Sequence, residues 1–321
     1  MQPSDTVVTV FGGSGFIGTQ MIQLLARKGW RVRVAVRRPD LAGHVRPLGT
    51  VGQVMPIQAN IRNLESVQRA VHGADIVINL VGVGHESGKQ RFRAVHTMGA
   101  RNIAQAATAA GVKSLVQVSA IGADTQSVSA YARSKALGEE EILAGFPNAI
   151  ILRPSIVFGS GDGFFNLYGA LSRLSPVLPL IGGKTRFQPV YVGDLAEVIV
   201  RAAEGAVPGG RIYEIGGPEV VTHREVLETV VAETQRGNLI LPIPAGLGKL
   251  MAVPFAILPF PPLITSDQVD LLQVDNVVSD EAIAENRDIS AFGIVPTAIE
   301  AIVPSYLWRF RKNGQFDRQT V

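Results

Sequence analysis

The sequence predicts an α/β fold, a doubly wound parallel sheet with a smaller cap drawn mostly from the C-terminal third. Two observations carry this prediction. Short apolar runs alternate with stretches of helical periodicity over about the first 200 residues, the order of successive βαβ units. Glycines at fixed spacing follow the first apolar run and open the first helix, where a sheet of this kind places its phosphate loop.

Strands are expected at 6–11, 31–36, 54–58, 75–80, 115–119 and 149–153. The helix between the first two carries Ile17, Met21, Leu24, Leu25 and Lys28 at i, i+4, i+7, i+8 and i+11, an apolar face able to cover a sheet. Further helices are expected at 97–110, 131–144 and 194–204, and Thr222 with Glu225 forms a capping-box pattern that starts another. Asp194 reads as a helix cap and Asp162 as a turn residue.

Past residue 158 the rhythm loosens and Pro and Gly become frequent. The expected division is therefore a Rossmann nucleotide-binding domain at 1–158 with 187–215, and a cap and partner-binding domain at 159–186 with 216–321. The stretch 239–264 holds six prolines and a single charged residue, Lys249. It is long enough to span a bilayer, but the prolines would break a transmembrane helix. It reads instead as an apolar surface lying on a partner or a membrane interface, or as the cap's own core.

Composition narrows the function classes. The net charge of +3 comes with scattered basic residues, which argues against nucleic-acid binding. Cysteine is absent, so thiolate zinc, iron–sulfur ligation, a cysteine nucleophile and disulfides are all excluded. The histidines at 44, 72, 85, 96 and 223 show no metal-ligand spacing, and no metal is expected. With the first strand expected to start so near Met1, no targeting peptide is expected.

VTVFGGSGFIG, residues 8–18, places Gly12, Gly15 and Gly18 three apart. The first glycine permits the tight turn, the second lets backbone approach a pyrophosphate, and the third lets helix pack on strand. Gly12, Ser14, Gly15, Phe16, Ile17 and Gly18 are thus candidate diphosphate contacts at a helix N-terminus. The end of the second strand selects the nucleotide. An NAD binder places an acidic residue there for the ribose 2′-hydroxyl, about 20 positions past the loop. This sequence has Arg37 and Arg38 instead, where a 2′-phosphate would lie. Charge-assisted hydrogen bonds are worth about 1.5–3 kcal/mol each, so the pair would favour NADPH over NADH by about a hundredfold. The plain alternative is two solvated surface charges. Asn60 and Ile61 are candidate adenine contacts, and Leu80, Val81 and Gly82 are candidate neighbours of the adenine-side ribose.

Tyr131 and Lys135 stand at i and i+4 on the helix after the fifth strand. Lys135 would bind the nicotinamide ribose and lower the phenol pKa, and Tyr131 would serve as general acid or base. The glycine loop, the YARSK stretch and ILRPS at 151–155 resemble the extended short-chain dehydrogenase/reductase superfamily, over roughly the first 215 residues. The resemblance implies that Val118, Ser119, Pro154 and Ser155 pass close to the nicotinamide end. It also implies a catalytic hydroxyl just beyond Ser119, and here the next two residues are Ala120 and Ile121. A general acid without its polarising partner loses much of its advantage. His96 stands where many members have a structural asparagine.

A narrower resemblance covers nearly the whole chain. RPSIVFGSGDGFFN at 153–166, PPLITSDQVDLLQVDNVVS at 261–279 and PSYLWRFRKNGQFD at 304–317 are similar to one atypical branch, the NAD(P)H-binding accessory subunits of respiratory complex I. That resemblance implies a tightly held NADPH without turnover. It implies other complex I subunits as partners and a peripheral seat on the cytoplasmic face of a bacterial inner membrane, or the matrix side in a mitochondrion. Residues 306–312, which interleave aromatic and basic side chains, are then expected to meet a partner or anionic headgroups. The rival readings are a free NADP-dependent reductase or epimerase using Tyr131 and Lys135, and a regulator that senses NADPH.

Overall fold

Six strands from the first half of the chain and one from further on form a parallel sheet of seven in the computed structural model, which describes residues 5–257, 262 and 264–314, the side chains of 253–257 excepted. In chain order the elements are β1 (Val7–Phe11), α1 (Phe16–Arg27), β2 (Arg31–Val36), β3 (Val54–Gln58), α2 (Leu64–Val71), β4 (Ile76–Asn79), α3 (Met98–Ala109), β5 (Ser114–Val118), α4 (Ala130–Gly145) and β6 (Ile150–Pro154). A helix at Val192–Ala203 and an edge strand at Arg211–Ile215 complete the layer. Across the sheet the order is Arg211–Ile215, β6, β5, β4, β1, β2, β3.

All five residues of β1 are buried, because β1 sits between β2 and β4 with helices on both faces. The strand order reverses at β1, so a crevice opens beyond the C-terminal ends of β1 and β4, where ligands of such sheets bind. The six expected strands are all present, within one residue at each end. The seventh escaped the sequence reading because it is an edge strand whose burial alternates, without a continuous apolar run.

Helix α1 buries Gly18, Met21, Ile22, Leu25 and Ala26, a face turned one residue from the expected one. The cause is Gly18: a Cβ there would lie 2.4 Å from the Gly13 carbonyl oxygen, so this position must face the loop. Asp194 lies inside the first turn of Val192–Ala203 rather than before it. The capping box of Thr222 and Glu225 forms as expected and starts the helix His223–Thr234.

The chain divides into two compact units. The first comprises residues up to 154, 192–215 and 279–295; the second comprises 155–191, 216–278 and 296 onward. Residues 279–295 thus join the nucleotide-binding unit, tied to the edge strand by Arg287, whose Nη1 donates to the Ile212 carbonyl (2.9 Å) and whose carbonyl accepts from Glu214 N (2.9 Å).

The second unit has its own core, in which Phe158, Phe165 and Tyr168 pack with Val226, Leu227, Val230 and the C-terminal residues Val303, Tyr306, Leu307 and Phe310. This corrects the expectation for 306–312. Its aromatic residues Tyr306 and Phe310 are core, and Arg309 and Arg311 bond to Asn166 and to the Glu233 carbonyl. The i, i+4 spacing of Tyr306 and Phe310 packs one face of a short helical turn, a pattern that composition alone read as a contact surface. Asp162 holds this tail. Its buried carboxylate accepts from the Gly159, Phe164 and Asn166 amides and from the Tyr306 hydroxyl at 2.7 Å.

In the stretch 239–264, Leu239–Pro242 pairs in parallel with Val177–Leu180, and a helix follows at Ala245–Ile257. Leu239, Leu241, Leu247, Leu250 and Met251 are exposed, leaving an apolar face on this unit. Residues 258–261 and 263 of that stretch, and 315–317 of the closing motif, lie outside the described residues. Among the described residues no helix is long and apolar enough to cross a membrane.

Candidate functional site

The glycine loop is built as its spacing requires. Gly12 has φ +78°, a conformation side-chain-bearing residues rarely adopt, and a Cβ there would press on Leu80 and Val81 at 3.2 Å. Gly15 caps α1 in an extended conformation, and the first turn of α1 contains no acidic residue, so its amides present an uncompensated positive end. His44 also holds this loop: its Nε2 lies 3.2 Å from the Ser14 carbonyl.

A cavity of about 310 Å³ opens beside the loop. It gathers Gly12, Ser14, Arg37, Arg38, Asn60, Ile61, Val81 and Gly82, which the sequence had nominated from four separate segments. It also gathers Leu41, Arg62 and Gln90, which the sequence reading missed. Three guanidiniums and no carboxylate line the cavity. The nearby Asp40 forms an exposed ion pair with Arg38 at 2.8 Å, which raises the arginine's pKa through hydrogen bonding and lowers its own. Arg62 was legible in principle, since it follows Asn60 and Ile61 directly; Gln90 comes from a loop without periodicity. The Asn60 side-chain oxygen is spent on the Arg62 amide (3.2 Å). Ile61 packs into the space left by Gly99, where a Cβ would come within 2.6 Å of it.

Tyr131 and Lys135 occupy successive turns of α4, capped by the buried Ser129, whose hydroxyl accepts from the Ala132 amide. Lys135 is 6% exposed and donates to the Val118 carbonyl at 3.0 Å. Burial pushes its pKa down to about 8, with Glu139 opposing. Glu139 itself is engaged by Arg153 in a buried two-pronged pair (2.6 and 3.0 Å). The Tyr131 ring stands edge-on to His96 and Phe92, at 5.5 and 5.8 Å between centroids.

His96 links the two halves of the site. Its Nε2 accepts from the Val83 amide (3.0 Å), and its Nδ1 meets Ser134 Oγ (2.8 Å), which donates to the Tyr131 carbonyl. With Nε2 accepting, Nδ1 carries the proton and donates to Ser134, so the ring is neutral. Burial first, and the Lys135 charge second, push its pKa down to about 3. A Cβ at Gly82 would lie 3.7 Å from His96 Nε2 and 3.9 Å from Lys135 Nζ, so all three border the same space.

Leu80 donates its amide to the Phe11 carbonyl, extending the parallel pairing of β1 and β4 to their C-terminal ends. Ser119 is buried, and its hydroxyl has no partner among the described residues, the condition of a group that a ligand completes. Ile121 is 8% exposed and donates its amide to the Pro154 carbonyl, so aliphatic bulk fills the position of the expected hydroxyl. The Ser155 hydroxyl is engaged in the second unit, donating toward Asn276 (2.7 Å to its side-chain oxygen, 2.8 Å to its carbonyl). Among the described residues no cluster of His, Asp or Glu could hold a metal.

A parallel sheet with a switch point at β1, a glycine loop, and a Tyr–Lys helix after β5 define a nucleotide-binding protein of the short-chain dehydrogenase type. The chain belongs to the NAD dependent epimerase/dehydratase family, which it matches over residues 8–216. Its similarity to particular relatives runs further. It is 34% identical over 99% of its length to the NADH dehydrogenase [ubiquinone] 1 alpha subcomplex subunit 9 of Arabidopsis thaliana, of which it covers 81%. It is 33% identical over 92% of its length to the subunit of the same name from Mus musculus, covering 78% of it. Among solved structures, UDP-glucose 4-epimerase of Thermus thermophilus in complex with NAD superposes with a TM-score of 0.68 at 22% identity, over 96% of this chain and 99% of that one.

Proposed function

We propose that this chain is an accessory subunit of proton-pumping NADH:ubiquinone oxidoreductase that holds NADPH as a structural element and does not turn it over. The observation that carries the proposal is the reach of its similarity to the mitochondrial subunits, which extends through the second unit, far past residue 216 where the general family match ends. A free epimerase or reductase has no need to share that unit's sequence.

The residues present suit a dinucleotide. Gly12, Gly15 and the start of α1 would receive the diphosphate, Lys135 the nicotinamide ribose, and Arg37 with Arg38 the 2′-phosphate. Bound NADPH offers a hydride, but the site lacks the means to direct it: Ala120 and Ile121 stand where a substrate oxygen would need a donor. Tight binding to the folded state alone stabilises it through mass action, by about 4 kcal/mol at a thousandfold excess over Kd. Partners are other subunits of the complex, and the seat is peripheral. The exposed apolar face of Leu239, Leu241, Leu247, Leu250 and Met251 supports a contact of that kind.

The test is to release and identify the nucleotide from purified chain. NADPH is expected, with affinity cut at least about a hundredfold by Arg37→Asp plus Arg38→Asp, from two charge-assisted bonds. Recovery of NAD or NADH alone, with affinity untouched by the double variant, would refute the phosphate assignment. Substrate-dependent NADPH oxidation at ordinary enzyme rates, abolished by Tyr131→Phe, would restore the reductase reading.

A further inference from the structure

The cavity wall contains a donor with nothing to do. Arg62 lies on the loop after β3, its Nη1 donating to the Lys89 carbonyl (3.2 Å), while its Nε is closed off from solvent without a hydrogen-bond partner. Arginine beside a nucleotide is usually judged by charge alone, but an unpartnered buried N–H is a separate cost that a folded chain normally avoids.

Against Arg62 runs a short strap, residues 84–91, which meets it through the Lys89 carbonyl. It is pinned on itself by paired backbone bonds between Ser87 and Gln90 (3.1 and 2.8 Å). Its base is held by Glu86, which accepts from the Phe92 amide (2.8 Å) and pairs with Arg91 (3.1 Å). Its far end reaches two of the three cavity arginines: Lys89 offers its carbonyl to Arg62, and the Gln90 side-chain amide lies beside the Arg37 guanidinium in the same cavity wall. The third arginine, Arg38, already has Asp40 as partner. The strap therefore meets, with neutral groups, the two guanidiniums for which no ion pair with a carboxylate is found among the described residues.

We propose that residues 84–91 form a strap specific for the nucleotide's 2′-phosphate, with Arg62 and Gln90 as specificity residues beyond the arginines at the end of β2. The inference rests on the reading that the nucleotide is NADPH. A phosphate oxygen draws Arg62 away from the Lys89 carbonyl and engages Arg37 beside it, since a charged acceptor is the stronger partner. The Gln90 amide and the Lys89 ammonium then donate to the same phosphate. Re-seating the strap is what opens Arg62 Nε to its ligand, so occupancy and strap position change together. NADH, lacking the phosphate, leaves the strap where it is.

The experiment uses the full chain and two readouts. Calorimetric titration with NADPH and with NADH gives a selectivity ratio for wild type, Arg37→Gln, Arg62→Gln and Gln90→Ala. Trypsin cleavage after the exposed Lys89, followed by mass spectrometry, reports strap position with each nucleotide. Arg62→Gln is expected to lower the NADPH-to-NADH ratio about tenfold, as loss of one charge-assisted contact does, and Gln90→Ala severalfold. NADPH should slow cleavage after Lys89 well beyond NADH. A wild-type ratio near unity would overturn the NADPH reading itself. A high ratio that falls in Arg37→Gln but not in Arg62→Gln or Gln90→Ala, with equal protection by both nucleotides, would overturn the strap alone. Should Arg62→Gln fail to fold, Gln90→Ala, on a surface strap, and the wild-type cleavage rates still decide.

Discussion

His96 sets a pH dependence that can be isolated. It is buried and neutral, with a pKa of about 3 in the folded chain against 6.5 for the free side chain. A histidine whose folded value is depressed binds its proton only when unfolded, so stability falls as pH drops below 6.5 and continues falling until about 3. Between about pH 7 and about pH 5 the unfolded side chain goes from mostly neutral to almost fully protonated while the folded one stays neutral. The resulting loss is about 2 kcal/mol from this residue, at 1.36 kcal/mol per unit below the unfolded value. His96→Asn removes the titrating group. It also weakens the link from Val83 to Ser134, which costs about 1–3 kcal/mol at any pH. The assay is urea unfolding at both pH values followed by Trp30 fluorescence, in a Trp308→Phe background so that only the first unit reports. The drop between the two pH values should be smaller in the His96→Asn variant by about 2 kcal/mol. An identical drop in both proteins would show that His96 charges in the folded state, and the hydrogen-bond assignment around it would be wrong.

Three further outcomes follow from the packing. Gly18→Ala puts a Cβ within 2.4–2.5 Å of Gly13 backbone, and the forced shift should destabilise the first unit by about 1–3 kcal/mol and displace the glycine loop; nucleotide titration showing wild-type affinity would contradict this. Truncation before Pro304 removes buried Tyr306, Leu307 and Phe310, each worth about 1.5–3 kcal/mol of burial, and should leave the second unit open to proteolysis. Asp162→Ala should mimic much of that truncation, about 3 kcal/mol or more, because it leaves the buried Tyr306 hydroxyl and three loop amides without their acceptor; an unchanged melting temperature would rule out its anchoring role.

The nucleotide half of the molecule was legible because its signals are local. A buried parallel strand must be a continuous apolar run, and a diphosphate loop must place glycines where a Cβ would collide, as at Gly12 and Gly18. Arg37, Arg38, Asn60 and Gly82 could be nominated since each sits at a fixed step after a strand, and the fold brings them to one cavity. Contacts that depend on chain segments far apart were not legible. Gln90 reaches the cavity on a loop without periodicity, and His44 reaches the Ser14 carbonyl from a separate turn. Tyr306 and Phe310 looked like a surface motif because composition cannot tell a basic–aromatic contact patch from a helical turn whose aromatic face is buried and whose arginines are tied down at its edge.

The proposed role is tested most directly by what the intact chain carries and travels with. A tagged chain solubilised from its native membranes in mild detergent should migrate with subunits of NADH:ubiquinone oxidoreductase and release NADPH on denaturation, about one per chain. Migration as a free protein at low and high salt alike, or release of NAD or NADH alone, would contradict it.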